Sequence, residues 1–154
     1  ARWNMATGEI NPMPYEYPDL KKVRFIYTAS AEHQLYVQCY TQYDLMTICD
    51  FNGNLKCNIY GPKWVNEKTQ TQHYSLGVEF CGDKILALYS GGDHRTDAYY
   101  PTKFLVFDLN GNYLKTLETG YMITDFCYDK ENNRLIINLN DEIQFAYLDL
   151  EGII

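Results

Sequence analysis

Along this chain of 154 residues apolar and polar positions alternate in short runs, each closed by a turn signal. The sharpest repeat sets Asp50-Phe51-Asn52-Gly53-Asn54-Leu55 against Asp108-Leu109-Asn110-Gly111-Asn112-Tyr113, with a weaker third copy at Asp149-Leu150-Glu151-Gly152. Alternation on both sides of Asn-Gly predicts a β-hairpin, and a type I′ turn there places both central residues at positive φ. Gly53 and Gly111 stand 58 positions apart, Gly111 and Gly152 41 apart. A strand-only repeat of about 40–60 residues predicts propeller blades.

Taken in order, residues 1–20 read as the last hairpin of a preceding blade, turning at Gly8, and then a linker stiffened by Pro12, Pro14 and Pro18. Residues 21–62 form a first blade, with strands at 23–29, 34–40, 45–51 and 55–60. Residues 63–120 form a second, with strands at 75–80, 84–89, 103–109 and 113–117. A polar, aperiodic surface loop spans 63–73, and an insertion spans 90–101. Residues 121–154 form a third blade, with strands at 122–128, 134–138 and 143–149 and no outer strand. Aligning Leu35 with Ile85 and Leu135 brings the three blades into register.

The central strands are apolar on both faces. Phe104 and Val106 share one face, while Leu105, Phe107 and Leu109 share the other. A sheet wetted on one side would alternate cleanly, so these sheets are expected to be covered on both. Hairpin-linked sheets stacked face to face around an axis fit that pattern, and the fold class is all-β, built of four-stranded antiparallel propeller blades. An open β-sandwich fits the strand content but does not predict the in-register repeat.

Composition narrows the partners. With 46% hydrophobic and 16% aromatic residues, 15 of them tyrosine, the chain is not of the disordered class. A net charge of −7 argues against nucleic acid and against an anionic membrane surface. No apolar run approaches the roughly 18 residues of a membrane span. No secretory-signal pattern stands at the start, and a chain opening on Ala1 reads as a trimmed product. Cys39, Cys49, Cys57, Cys81 and Cys127 have no zinc spacing and read as buried free thiols, with a Cys49–Cys57 bridge across the first Asn-Gly turn as the lesser alternative.

With the repeats aligned, two stretches carry a family resemblance. Ile85-Leu86-Ala87-Leu88-Tyr89-Ser90-Gly91 is followed by Phe104-Leu105-Val106-Phe107-Asp108-Leu109-Asn110-Gly111-Asn112, and Asp125-Phe126-Cys127-Tyr128-Asp129 leads to Leu135-Ile136-Ile137. Together they resemble the TolB-like six-bladed β-propeller proteins. That resemblance implies an extracytoplasmic (periplasmic or cell-surface) setting, half of a six-bladed ring in this chain, and no catalytic residue to carry over. The partner it leaves open is a second copy of the chain or the missing half of the propeller. An N-terminal strand of one copy completing the third blade of another is one way to close the ring.

In an up-and-down blade the link between strands two and three and the link to the next blade emerge at the same end. Segments 61–73 and 90–101 therefore share one face, opposite the tight turns, and long loops on a rigid scaffold are where ligands bind. The candidate ligand-binding residues are Trp64, His73, Asp93, His94, Arg95, Asp97, Tyr99 and Tyr100. Asp93, His94, Arg95 and Asp97 suit a polar ligand or form a solvated insertion. A metal site through Asp93, His94 and Asp97 is the weaker reading, and neither metal nor cofactor is assigned. Trp64, Tyr99 and Tyr100 either make a stacking wall for a sugar or peptide ring or pack the loops onto the blade edge. No nucleophile elbow, HExxH, phosphate loop or dinucleotide fingerprint is present. Asp50, Asp108 and Asp149 read as turn-capping acceptors. The expected function is a non-catalytic binding or scaffold module with a glycan or peptide ligand. The alternatives are a hydrolase or lyase on the same face and a structural assembly role.

Overall fold

The computed structural model describes residues 2–12, 20 and 23–154, and Pro14 and Pro18 of the expected linker lie outside them. The first two strands, β1 (Arg2–Trp3) and β2 (Ile10–Asn11), pair antiparallel as a small hairpin whose turn holds Gly8 at φ 73°. Three larger antiparallel sheets follow. Sheet one comprises β3 (Phe25–Ser30), β4 (Leu35–Tyr40), β5 (Leu45–Asp50) and β6 (Leu55–Tyr60). Sheet two comprises β7 (Thr71–Cys81), β8 (Lys84–Asp93), β9 (Lys103–Asp108) and β10 (Tyr113–Glu118). Sheet three comprises β11 (Ile123–Asp129), β12 (Arg134–Leu139) and β13 (Phe145–Asp149). Strands follow chain order within every sheet, and the first strand of sheet two packs against the first strands of both neighbours, as in blades radiating from an axis. The fold is all-β and propeller-like.

Two apolar layers fill the spaces between sheets. Val37, Cys39, Met46 and Ile48 of sheet one meet Val78, Ile85, Ala87 and Phe107 of sheet two. On its other face sheet two sets Leu86, Leu88, Phe104 and Val106 against Ile123, Phe126, Leu135 and Ile137 of sheet three. Strands β8 and β9 are thus apolar on both faces because both faces are covered, as the pattern predicts.

The Asn-Gly turns differ from the type I′ expectation. Gly53 and Gly111 hold φ of 87° and 86°, but neither Asn52 nor Asn110 is at positive φ. Gly53 N–H donates to the Asp50 carbonyl at 3.0 Å, and the Asp50 N–H to the Asn54 carbonyl at 3.0 Å. This is a type I turn closed by a left-handed glycine. The reason is the aspartate. Asp50 Oδ1 accepts the N–H groups of Asn52 and Asn54 at 2.9 and 2.8 Å, and Asp108 repeats this with Asn110 and Asn112 at the same distances. A carboxylate gathering those amides favours the wider turn over the two-residue one. Both aspartates are the capping acceptors expected.

Register also corrects one alignment. Lys84 pairs with Asp108 and Arg134 with Asp149, but in sheet one it is Leu35 that pairs with Asp50. Leu35 is therefore equivalent to Lys84, not Ile85. The turn before β4 takes in Gln34 at φ 55°, whereas β7 and β8 turn through Gly82 at φ 59°. A one-residue slip reverses which face a side chain serves. Leu35 accordingly faces sheet two, while Ile85 faces sheet one.

All five cysteines are free thiols, but only Cys39, Cys49 and Cys81 are buried as expected; Cys57 is half-buried and Cys127, on the outward face of β11, is exposed. The bulge between Ile48 and Cys49 sets Cys57 opposite Ile48 and Leu55 opposite Cys49, so the two cysteines are not directly opposed. No helix among the described residues is long and apolar enough to cross a membrane.

Candidate functional site

The ends of the strands near the segments 41–44, 61–73 and 90–101 meet at one end of the sheets, as the blade geometry predicts. Thr41 carbonyl oxygen accepts the His73 N–H at 2.8 Å, and Gln70 carbonyl oxygen accepts the His94 N–H at 3.3 Å. Two of these segments are more ordered than expected. β7 begins at Thr71 and β8 runs on to Asp93, pairing Thr71 with Asp93 and Gln72 with Gly92. His73 is therefore a strand residue, and it is buried at 1% exposure instead of lying in a surface loop. A histidine amid Thr, Gln and Lys carries no periodic sign of burial, which is why the sequence conceals it.

The candidates of the insertion satisfy one another. Arg95 grips Asp93 through Nε at 3.1 Å and Nη2 at 2.7 Å, and the same carboxylate accepts the Arg95 N–H. Arg95 holds the Asp93 carboxyl well below the usual carboxylate range. His94 Nδ1 lies 2.9 Å from the Gln70 carbonyl oxygen. Asp97 opens a short 3-10 turn, Asp97–Tyr99. Among the described residues no three His, Cys, Asp or Glu side chains gather as a metal site would require.

The aromatic candidates form two groups instead of one wall. Tyr99 and Tyr100 stack on each other at 4.2 Å between centroids. Trp64 packs edge-on against Tyr60 at 4.8 Å and at a shallower tilt against Tyr43 at 6.1 Å, joining a small core with Tyr40 and Leu45. Trp64 thus fastens its loop to the end of sheet one.

What the same end does assemble centres on Asp44, a residue the sequence reading passed over. Its backbone carbonyl accepts the Gly61 N–H at 2.8 Å, and its Oδ2 accepts the Lys63 N–H at 2.9 Å. The carboxyl group lies so close to Gly61 that any Cβ there would overlap it. Asp44 is only 1% exposed, and its Oδ1 accepts no hydrogen bond. Beside it, His73 Nδ1 and the Tyr89 hydroxyl share a hydrogen bond of 3.3 Å. Burial lowers the His73 pKa, more strongly than the Asp44 charge raises it. Burial first, then Asp44, raises the Tyr89 phenol. Both groups are therefore neutral at physiological pH, next to a buried carboxylate.

Asp44 and Tyr89 line a cavity of about 350 Å³ between sheets one and two. Its walls are mainly rings and aliphatic carbons: Ile59, Tyr60, Tyr74, Leu105, Phe107 and Tyr113. Lys103 also reaches it, with its ammonium 5.8 Å from the Tyr89 ring centroid. A concave apolar space holding a few converging polar groups has the usual make-up of a small-molecule site. Asp44 sits in an ordinary-looking turn, Thr41-Gln42-Tyr43-Asp44, and the one sequence signal for its setting is the Gly61-Pro62 that clears room for it.

No known protein family and no curated protein matches the sequence. Comparison with solved structures gives two partial superpositions, the first of which shares its fold. Hydrazine synthase of Kuenenia stuttgartiensis superposes with a TM-score of 0.53 at 12% identity, over 77% of this chain and 32% of that one. The WD40 domain of Neurospora crassa Pan2 gives 0.48 at 15% identity, over 82% of this chain and 32% of that one. This chain thus spans about a third of either protein's length, and at such identity the likeness concerns the fold.

Proposed function

We propose that the chain is a non-catalytic binding module of the β-propeller type, taking its ligand at the long-loop end in the cavity between sheets one and two. The observation that carries this is the aromatic-walled cavity of about 350 Å³ between the two sheets, with the Lys103 ammonium as the charged group in its wall. The candidates Asp93, His94, Arg95, Asp97, Tyr99 and Tyr100 then serve as the rim of that end, and His73 as part of its floor. Trp64 touches Tyr60 of the cavity wall and reports on occupancy. The test is a ligand screen read by Trp64 fluorescence and repeated on Tyr113→Ala, an exposed position of the cavity wall. Hits lost on that change support the module; a broad screen with none favours a structural role.

The TolB-like, six-bladed reading and a closing partner belong to the same proposal. Supporting them, the face of sheet three turned away from sheet two carries an exposed apolar row between two polar ones, Asp125 with Asn138 on one side and Asp129, Arg134 and Asp149 on the other. Cys127 lies opposite Ile136, and Ile136 opposite Tyr147, in one row across it. Tyr147 is 64% exposed and Phe145, next along that face, 69%. Exposed rings rimmed by polar residues fit an interaction surface.

A further inference from the structure

Resting on the cavity reading above, we propose the chemical class of the ligand: a small organic anion, a carboxylate on a ring-sized apolar body, held by the Lys103 ammonium. The register of sheet two sets Lys103 in one row between Tyr89 on β8 and Glu118 on β10. A carboxylate thus stands directly across the strand, yet no ion pair forms. Glu118 accepts the Thr102 hydroxyl at 2.7 Å, and the ammonium lies over the Tyr89 ring, 5.8 Å from its centroid. Among the described residues no carboxylate comes within ion-pair distance of Lys103. The residue is half-buried in the wall, and an ammonium so placed binds a carboxylate more strongly than it binds a ring face.

The rest of the wall agrees. Asp44, the other lining residue of a charged type, has its side chain fully enclosed and its Oδ2 on the Lys63 N–H, so an occupant does not touch that carboxyl. Lys103 is therefore the ionic group that an occupant meets. An incoming amine would face a like charge at low dielectric, and a neutral ligand would gain no charge-assisted hydrogen bond. Tyr60, Tyr74, Tyr89, Phe107 and Tyr113 supply ring edges and faces for an apolar body. At about 350 Å³ the space is near the lower end for small-molecule sites, which suits one ring and its substituent. The Lys63 ammonium, hydrogen-bonded to the Gly91 carbonyl oxygen at 3.4 Å, crowds Gly91 together with the Tyr89 ring and adds positive charge on that side.

The test uses three probes of nearly one shape, benzoate, benzamide and benzylamine, titrated by calorimetry and by amide chemical shifts. Benzoate is expected to bind at least about tenfold more tightly than benzamide, with benzylamine weakest. Lys103→Met is expected to erase the benzoate preference, and Lys103→Arg, which keeps the charge, to retain most of it. The ranking of the three probes on the parent protein needs no variant, so the class is decided even if Lys103→Met fails to fold. Benzamide or benzylamine binding as tightly as benzoate, with shifts at Tyr60 and Tyr113, would leave the cavity as a site and overturn the anionic class. A benzoate preference that survives in folded Lys103→Met would overturn the assignment to Lys103. No binding by any of the three to the folded parent protein would overturn both the class and the cavity.

Discussion

His73 Nδ1 stands 3.8 Å from Asp44 Oδ1, with both side chains almost wholly out of water, yet the two do not form an ion pair. Burial is the largest influence on the imidazole and lowers its pKa, so at neutral pH it faces the carboxylate uncharged and bonds to Tyr89. Protonating it would create a buried charge beside Asp44, a costlier arrangement than leaving it neutral.

That arrangement makes stability depend on pH in a defined window. The folded-state pKa of His73 lies below the usual 6.5, so the unfolded chain binds the proton more readily. Stability is full above that value, falls as pH drops below it, and levels off once the folded protein also takes up the proton. The Asp50, Asp93, Asp108 and Asp129 carboxyls, lowered from 3.8 by their hydrogen bonds and ion pairs, lose their contribution only in stronger acid. Denaturant melts at about pH 7.5, 6.5 and 5.5 should show the parent weakening while His73→Gln stays flatter. Parallel curves for the two proteins would mean that His73 is hydrated.

Gly61→Ala tests the clasp around Asp44. Gly61 is not in the left-handed region, so alanine meets no backbone penalty there, but its Cβ would overlap the carboxyl group. The expected cost is about 1–3 kcal/mol from overpacking, with the Asp44 carboxyl pushed off the Lys63 N–H. Alanine tolerated at no cost, by thermal and denaturant melts, would show that Asp44 has room to move.

A pair of glycines separates backbone strain from crowding. Gly111 and Gly152 hold φ of 86° and 70°, and alanine at either should cost about 1–2 kcal/mol through the left-handed backbone alone. Gly152 has open space where a Cβ would go, whereas at Gly111 it would press on Cys57 Sγ at 2.8 Å and on Ile59. Gly111→Ala should therefore be the more damaging by about 1–3 kcal/mol in denaturant melts. Equal losses would mean that the second turn does not pack against β6.

Much of the fold was written in period-two patterning and turn residues. Strands with apolar residues on both faces, such as Phe104 to Phe107, announced sheets stacked on both sides, and the repeated Asp…Gly placed each hairpin. Turn type was not legible, because Asn-Gly alone does not reveal that Asp50 and Asp108 would gather the turn amides. The register of β4 was missed for a similar reason: Gln34 takes a left-handed conformation that sequence gives no cause to assign. The site was legible only as an end of the molecule. Charged loop residues drew notice because they are polar, but Asp93 and Arg95 spend their charge on each other. Asp44 gained its character from tertiary burial behind Gly61 and β7, which no local pattern encodes.

The last prediction concerns what covers sheet three. Phe145 and Tyr147 are 69% and 64% exposed, on a strand whose neighbours Ala146 and Leu148 pack inward against sheet two. A blade face is stabilised by the next blade, and burying such side chains contributes about 1.5–3 kcal/mol each. If two copies complete one ring through this face, light scattering should give twice the 18.0 kDa of the chain. Tyr147→Lys should then return the mass to a single copy, since it removes an exposed ring from the contact and puts a charge in its place. The same substitution should leave the melt of the isolated copy nearly unchanged, because Tyr147 is mostly exposed there. A parent protein that stays monomeric at high concentration would exclude a second copy as the covering partner and leave further blades of a longer chain as the way to close the ring. A dimer that withstands Tyr147→Lys would place the contact on another face.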